Sequence, residues 1–404
     1  MSATDTTVES STPVMPSSPR EFARRFAQGE FGSLRVLIIL AVIWAIFTIA
    51  NDRFLTALNL TNLTLQIAAT GLISIGVVLV LLLGEIDLSV GVVSGLCAAI
   101  MAVLNVKHGW PAVPALLAGI LAGTAISLFQ GFVHTTFGIP SFVVTLAGLL
   151  GWQGVQLWVL GDTGTININN PFIIDLTSTF FSDVVGWIIA VALIAVYAAV
   201  TLYGRQMRVR AGLEAQATGI LVFRIVAVAV PVLATVWVVN QDRGLPLALV
   251  ILVGFVIFFD WLTQRTRYGR HIYATGGNEE AAVRAGINTA RVRLAVFALA
   301  STLAACGGMM AASRLFAVNQ SSGGSDLLLL AIAGPVIAGT SLFGGRDRVW
   351  SALLGALVIG SISNGIDLLG LSSDVRFMVT GAVLLAAVII DAATSTRRKR
   401  AGRA

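Results

Sequence analysis

Asn62-Leu63-Thr64-Leu65-Gln66-Ile67-Ala68-Ala69-Thr70-Gly71-Leu72-Ile73-Ser74-Ile75-Gly76-Val77-Val78-Leu79-Val80-Leu81-Leu82-Leu83 contains no charged side chain. A short polar turn follows, Gly84-Glu85-Ile86-Asp87-Leu88-Ser89-Val90-Gly91, and a second apolar run begins at once. A bilayer core is ~30 Å thick and takes ~20 apolar residues to cross as a helix. Only a helix satisfies every backbone N–H and C=O of such a segment internally. The same pattern recurs near 34–50, 88–104, 111–132, 140–160, 184–204, 219–239, 245–262, 293–313, 326–343, 349–369 and 375–393. Several of these are interrupted by Gly, Ser or Pro, so we expect about twelve transmembrane helices, with a range of ten to twelve. Hydrophobic residues make up 56% of the chain and charged residues 11%. The expected fold is an all-α polytopic membrane protein whose transmembrane domain covers 34–393. No stretch remains for a large soluble domain.

Lys and Arg set the expected orientation. An even number of spans puts both termini on one side. If that side is the cytoplasm, twenty of the 26 Lys and Arg fall in inside segments. Five lie outside: Arg53, Lys107, Arg243, Arg314 and Arg376. Arg224 sits within a span, where it can snorkel. The expectation is therefore cytoplasmic N- and C-termini. The pI near 10.0 then reports membrane topology, and no nucleic-acid partner is expected. Residues 1–33 read as a disordered cytoplasmic tail without a signal-peptide core. Residues 394–404 read as a basic cytoplasmic tail, while Arg208, Arg210 and Arg224 are expected to meet anionic lipid at the inner leaflet. Cys97 and Cys306 lie in apolar segments, and His108, His134 and His271 show no metal-ligand spacing, so neither a disulfide framework nor a metal site is expected.

The longest polar interruption is the loop 263–292. It contains Gly276-Gly277-Asn278-Glu279-Glu280-Ala281-Ala282-Val283-Arg284-Ala285-Gly286. Asn278 can cap a helix, Glu279 and Glu280 suit the positive end of its dipole, and Gly286 can close it in the left-handed conformation. A helix this short is unstable in water alone and needs a surface to lie on. That surface is either its own protein or a partner. In the Glu85–Gly91 turn, two acids beside apolar spans are costly unless capped, paired or wet. Asp87 or Ser89 can cap the helix that begins there. Glu85, Asp87, Ser89 and Gly91 are either a structural turn or part of a gate.

Four stretches together resemble the ribose, arabinose and xylose permease family of ATP-binding-cassette (ABC) importers. They are Glu85-Ile86-Asp87-Leu88-Ser89-Val90-Gly91, Pro140 through Gly148, Tyr268 through Asn278, and Gly339-Thr340-Ser341-Leu342-Phe343-Gly344-Gly345. The resemblance runs from about 55 to 393. Within that family the chain is most similar to the D-xylose type, because it carries an added hydrophobic stretch at about 205–245 that shorter ribose-type permeases lack. Glu280-Ala281-Ala282, three residues, then Gly286 also resembles the coupling loop of ABC permeases. The resemblance implies that Asn278, Glu279, Glu280, Ala281, Ala282, Arg284 and Gly286 dock on an ATPase subunit. It further implies a permease homodimer in the bacterial inner membrane, an extracytoplasmic sugar-binding protein as second partner, and no cofactor on this chain, ATP being bound by the ATPase.

The chain has no Gly-x4-Gly-Lys-[Ser/Thr] phosphate loop; its lysines are Lys107 and Lys399. It is therefore expected to be a permease and not an enzyme, moving a monosaccharide, D-xylose or a similar pentose. The alternative is an ion-coupled secondary sugar transporter, which would need mid-membrane carboxylates. No acid is placed clearly at mid-membrane by the sequence. A neutral polyol needs hydrogen-bond partners without fixed charge. Candidate path residues are Gln66, Thr70, Thr145, Trp152, Gln153 and Asn364, each equally open to simple interhelical bonding. The helix pair assigned to 205–245, nearly all aliphatic around Pro231 and Trp237, is expected at the lipid-facing periphery.

Overall fold

The computed structural model describes residues 32–213, 218–341, 344–345 and 347–400. The chain is helical almost throughout. In order the helices are α1 (Gly32–Ala50), α2 (Ala57–Leu82), α3 (Val90–Ala102, extended by a π-helical turn), α4 (Ala112–Phe137), α5 (Ser141–Leu160), α6 (Pro171–Ser178), α7 (Asp183–Arg210) and α8 (Thr218–Val239). They continue as α9 (Leu247–Arg265), α10 (Arg267–Gly277), α11 (Glu279–Arg284), α12 (Thr289–Leu315), α13 (Ser325–Ile337), α14 (Trp350–Leu368) and α15 (Ser373–Arg400). Each apolar segment expected from the sequence overlaps a helix among the described residues. Among the described residues, nine helices are long and apolar enough to cross a membrane. Helix α13 falls short because Pro335 lies within it and the chain turns away at Gly339, whose φ is 105°.

At the centre is α2, apolar all round and buried on nearly every side. Helices α9, α12, α13 and α14 pack against it, and α12 also lies along α3 and α4. Helices α4, α5, α7 and α8 keep most of their apolar side chains exposed, including Trp158, Val196 and Trp237. Such a surface is stable only against lipid or another apolar surface. The window 205–245 contains one complete helix, α8; its packing partner α7 starts much earlier, at Asp183. Residues 1–31 and 401–404, most of the expected tails, lie outside the described residues. The rest of the basic tail, 394–400, continues α15 as helix.

Two short antiparallel ladders were not expected. Ile166 pairs with Val318 in β1 (Thr165–Asn167) and β4 (Ala317–Asn319). Phe181 pairs with Leu245 in β2 (Phe180–Phe181) and β3 (Leu245–Pro246). Both tie loops at the ends of the helices remote from α10 and α11. We call that end the strand face.

In lipid, helices gain nothing by hiding apolar side chains from one another, so close backbone approach carries the packing. At the α13–α14 crossing, a Cβ on Gly355 would fall on the Gly334 carbonyl. A Cβ on Gly360 would meet Ile67, one on Gly119 would meet Cys97 O, and one on Gly123 would meet Cys97 Sγ. Replacing Gly355 by Val should lower stability by about 1–3 kcal/mol, read as a lower melting temperature in detergent. Gly151→Ala, where an added methyl has nothing within 4 Å, should not lower it.

Candidate functional site

Three of the stretches singled out in the sequence meet at one backbone junction. The Gly345 N–H donates to the Leu82 carbonyl at 2.9 Å. A Cβ on Gly344 would stand 2.7 Å from both Gly276 O and Gly84 N. One on Gly345 would stand 2.7 Å from Gly277 Cα, and one on Gly276 would fall on Leu82 O. The end of α2, the end of α10 and the loop before α14 therefore touch backbone to backbone, which side chains would forbid. Gly344 and Gly345 have φ of 79° and 69°, a conformation that glycine adopts without strain. The Tyr273 hydroxyl adds a bond to the Asp347 carbonyl at 2.5 Å. Leu342, Phe343 and Arg346 of this loop lie outside the described residues.

From this junction α11 projects. Asn278 is extended at φ −161°, and its side chain accepts the Ala281 N–H at 2.9 Å. Gly286 closes the helix at φ 81°. Both caps read from the sequence are thus present. The helix is six residues long. Of its two alanines only Ala281 faces outward; Ala282 is 3% exposed and packs on its own chain. The small size of Ala282 lets α11 lie flat on its own bundle. Glu280, Val283 and Arg284 are exposed, and Glu280 pairs with Arg284 at 3.4 Å.

Beneath α11 lies the Glu85–Gly91 turn. Ser89 is the N-cap residue of α3 but its side chain makes no cap bond; Asp87 Oδ1 accepts the Ser89 N–H at 2.8 Å. The Ser89 hydroxyl stands 2.7 Å from Asp87 Oδ1 and 3.1 Å from Gln130 Oε1. Gly91 packs on Leu328 and the Gly323 carbonyl, where a Cβ would not fit. Glu85 is the centre of a charged cluster. Arg293 Nε lies 3.0 Å away and His134 Nε2 3.3 Å away. The same Arg293 reaches Glu279 at the start of α11 with two bonds, at 2.6 and 2.7 Å. Burial works to raise the Glu85 pKa, but hydrogen bonding from His134 and Ser141 and the charges of His134 and Arg293 hold it below its usual value. Burial pushes the Asp87 pKa up, against its bonds to Ser89 and Val90.

The path candidates separate. Gln66 and Thr70 are half-buried neighbours on α2, Trp152 is half-buried edge-on to Phe129, and Gln153 is exposed. Thr145 is buried and serves the turn: its Oγ1 accepts the Leu88 N–H at 3.1 Å. Asn364 is buried in a reciprocal amide pair with Asn59, at 2.8 and 2.9 Å. Both therefore hold helices and turns in place. The sequence did not single out Gln130, which reaches Ser89, or Gln156, whose amide donates to Asn319 O at the end of β4 and Ser322 O just beyond it. The only signal for either was a polar residue inside an apolar helix. Replacing Thr145 by Val should strand the Leu88 N–H and lower stability by about 1–3 kcal/mol, while Thr145→Ser should stay near the parent, as thermal melts would read.

The profile of a family described as the permease component of branched-chain amino acid transport systems matches residues 59–388. The xylose transport system permease protein of Escherichia coli strain K12 is 35% identical over 369 residues, covering 90% of this chain and 93% of its own. The ribose import permease protein of Bacillus subtilis strain 168 is 34% identical over 364 residues, 90% of this chain and 92% of its own. The D-allose transport system permease protein of Escherichia coli strain K12 is 29% identical over 354 residues, 87% and 89%. No solved structure matches the chain. The matched span runs from the start of α2 into α15 and includes the junction, the turn and α11, and the chain belongs to this family of transport-system permeases.

Proposed function

We propose that the chain is the membrane permease subunit of an ATP-driven importer for a neutral monosaccharide, D-xylose or a similar pentose. It works as a homodimer in the bacterial inner membrane, with both termini cytoplasmic and up to twelve spans. The observation that carries the reading is α11. It is a capped helix of six residues, anchored through Ala282 and Glu279, that holds Glu280, Val283 and Arg284 out into the surroundings. An exposed valine on an anchored helix suits a groove on a partner, here the ATPase subunit. This chain has no phosphate loop of its own, so hydrolysis belongs to that partner. An extracytoplasmic sugar-binding protein delivers substrate at the strand face. The α7–α8 pair, whose outer sides are apolar and exposed, sits at the lipid-facing periphery.

The sugar assignment rests on relatives whose names specify xylose, ribose and allose. The family description names branched-chain amino acids instead, which gives a second reading. Reconstitution with the ATPase and the binding protein distinguishes them. Labelled xylose, and not leucine, should enter proteoliposomes only with ATP. Entry driven by a proton or sodium gradient without ATP would establish the ion-coupled alternative. In the same system Val283→Glu should cut ATP-driven uptake severely at normal membrane abundance. Full uptake by that variant would remove α11 as the docking element.

A further inference from the structure

The geometry points to Arg293 as the positioning residue through which α11 holds the Glu85–Ser89 turn. It would thereby transmit displacement of α11 to the start of α3. The inference rests on the proposed docking of α11 on an ATPase.

The two acids it joins belong to different elements. Glu279 is the first residue of α11, and Glu85 lies in the turn between α2 and α3. Both meet the guanidinium of Arg293, in the first turns of α12. Two of its nitrogens bond the two oxygens of Glu279, at 2.6 and 2.7 Å. Its Nε faces Glu85 Oε1 at 3.0 Å as an ionic contact rather than an aligned hydrogen bond. A planar guanidinium can serve two carboxylates at once with fixed geometry, which a lysine ammonium cannot do in the same way. The Arg293 side chain is only 19% exposed, so water screens these contacts incompletely.

From Glu85 the constraint passes to the helix start through a series of backbone N–H bonds. Ile86 N–H is held by Ser141 Oγ at 3.3 Å, Leu88 N–H by Thr145 Oγ1 at 3.1 Å, and Ser89 N–H by Asp87 at 2.8 Å. The first turn of α3 then packs on Leu328 of α13 and the loop that precedes it, through Gly91. Hydrogen bonds from nitrogen to oxygen span only ~2.7–3.2 Å, so α11 cannot shift by an ångström or two without either dragging Arg293 or releasing it. Either outcome changes what holds Glu85. The backbone junction at Gly344 and Gly345 fixes the end of α10, but α11 itself hangs from Asn278, and Glu279 is its ionic tie to the bundle.

The test is a double-mutant cycle with two readouts. The first uses the purified chain in detergent and needs no partner: amide hydrogen exchange of residues 84–91. Glu279→Gln should speed exchange in the turn, although Glu279 does not touch it. Arg293→Gln should do so at least as much, and the double variant should add nothing beyond Arg293→Gln. The second readout uses the assembled importer in proteoliposomes: ATP hydrolysed per sugar moved. Arg293→Gln should raise that ratio about fivefold or more, the scale on which coupled sites ordinarily communicate. Arg293→Lys should recover only part of it. If Glu279→Gln leaves exchange in 84–91 unchanged, or if the effects of Glu279→Gln and Arg293→Gln simply add, the bridge is overturned whatever the importer does. If exchange responds as expected but wild-type uptake proves independent of ATP, the bridge stands as a link within the chain and the importer reading falls.

Discussion

Lipid supplies helices with no hydrophobic reason to prefer each other over acyl chains. That constraint shapes the whole bundle. The bundle is assembled where backbones come close enough for dispersion and weak polar contacts to act, and those places are glycines. Gly334 against Gly355 fixes α13 to α14, and Gly276, Gly344 and Gly345 fix the ends of three distant segments. Because these contacts are made by main chain, each is intolerant of any side chain larger than hydrogen. Away from these crossings, α5 and α7 leave apolar side chains such as Leu150 and Val196 exposed.

Charge is used sparingly and locally. The described acids of the turn do not face lipid; Glu85 is shared between Arg293 and His134, and Asp87 is enclosed at the head of α3. A half-buried carboxylate between two basic groups stays ionised, while an isolated one resists ionisation. The two acids, two residues apart, therefore sit in opposite electrostatic surroundings. The turn gains a fixed negative point on its α11 side and a neutralising tendency on its inner side.

Much of this was legible in the sequence, for physical reasons. Apolar runs of bilayer length have only one satisfactory backbone structure, so 62–83 and its counterparts announced helices. The ends of α11 were equally legible, since Asn278 and Gly286 act on their own immediate neighbours. What stayed hidden depends on residues far apart along the chain. Asn364 and Thr145 stood open to either a path role or interhelical bonding because an isolated polar side chain does not reveal its partner, here Asn59 in one case and the Leu88 amide in the other. Arg293 looked like one more inside-facing charge. Its role follows from Glu85 and Glu279 arriving at the same guanidinium, which no local spacing encodes. The strand ladders were missed because two or three residues of extended chain carry no period to detect.

The reciprocal amides of Asn59 and Asn364 have a mechanical consequence. Separating them in a dry interior would strand two donors and two acceptors at once, and Trp44 adds a third tie by donating to Ser361 on the same helix as Asn364. Helices α1, α2 and α14 are thus joined as a chassis. Any rearrangement of the bundle therefore carries these three helices as one body and takes place where such side-chain ties are absent. The part of the molecule that opens is set by where the polar stitching stops.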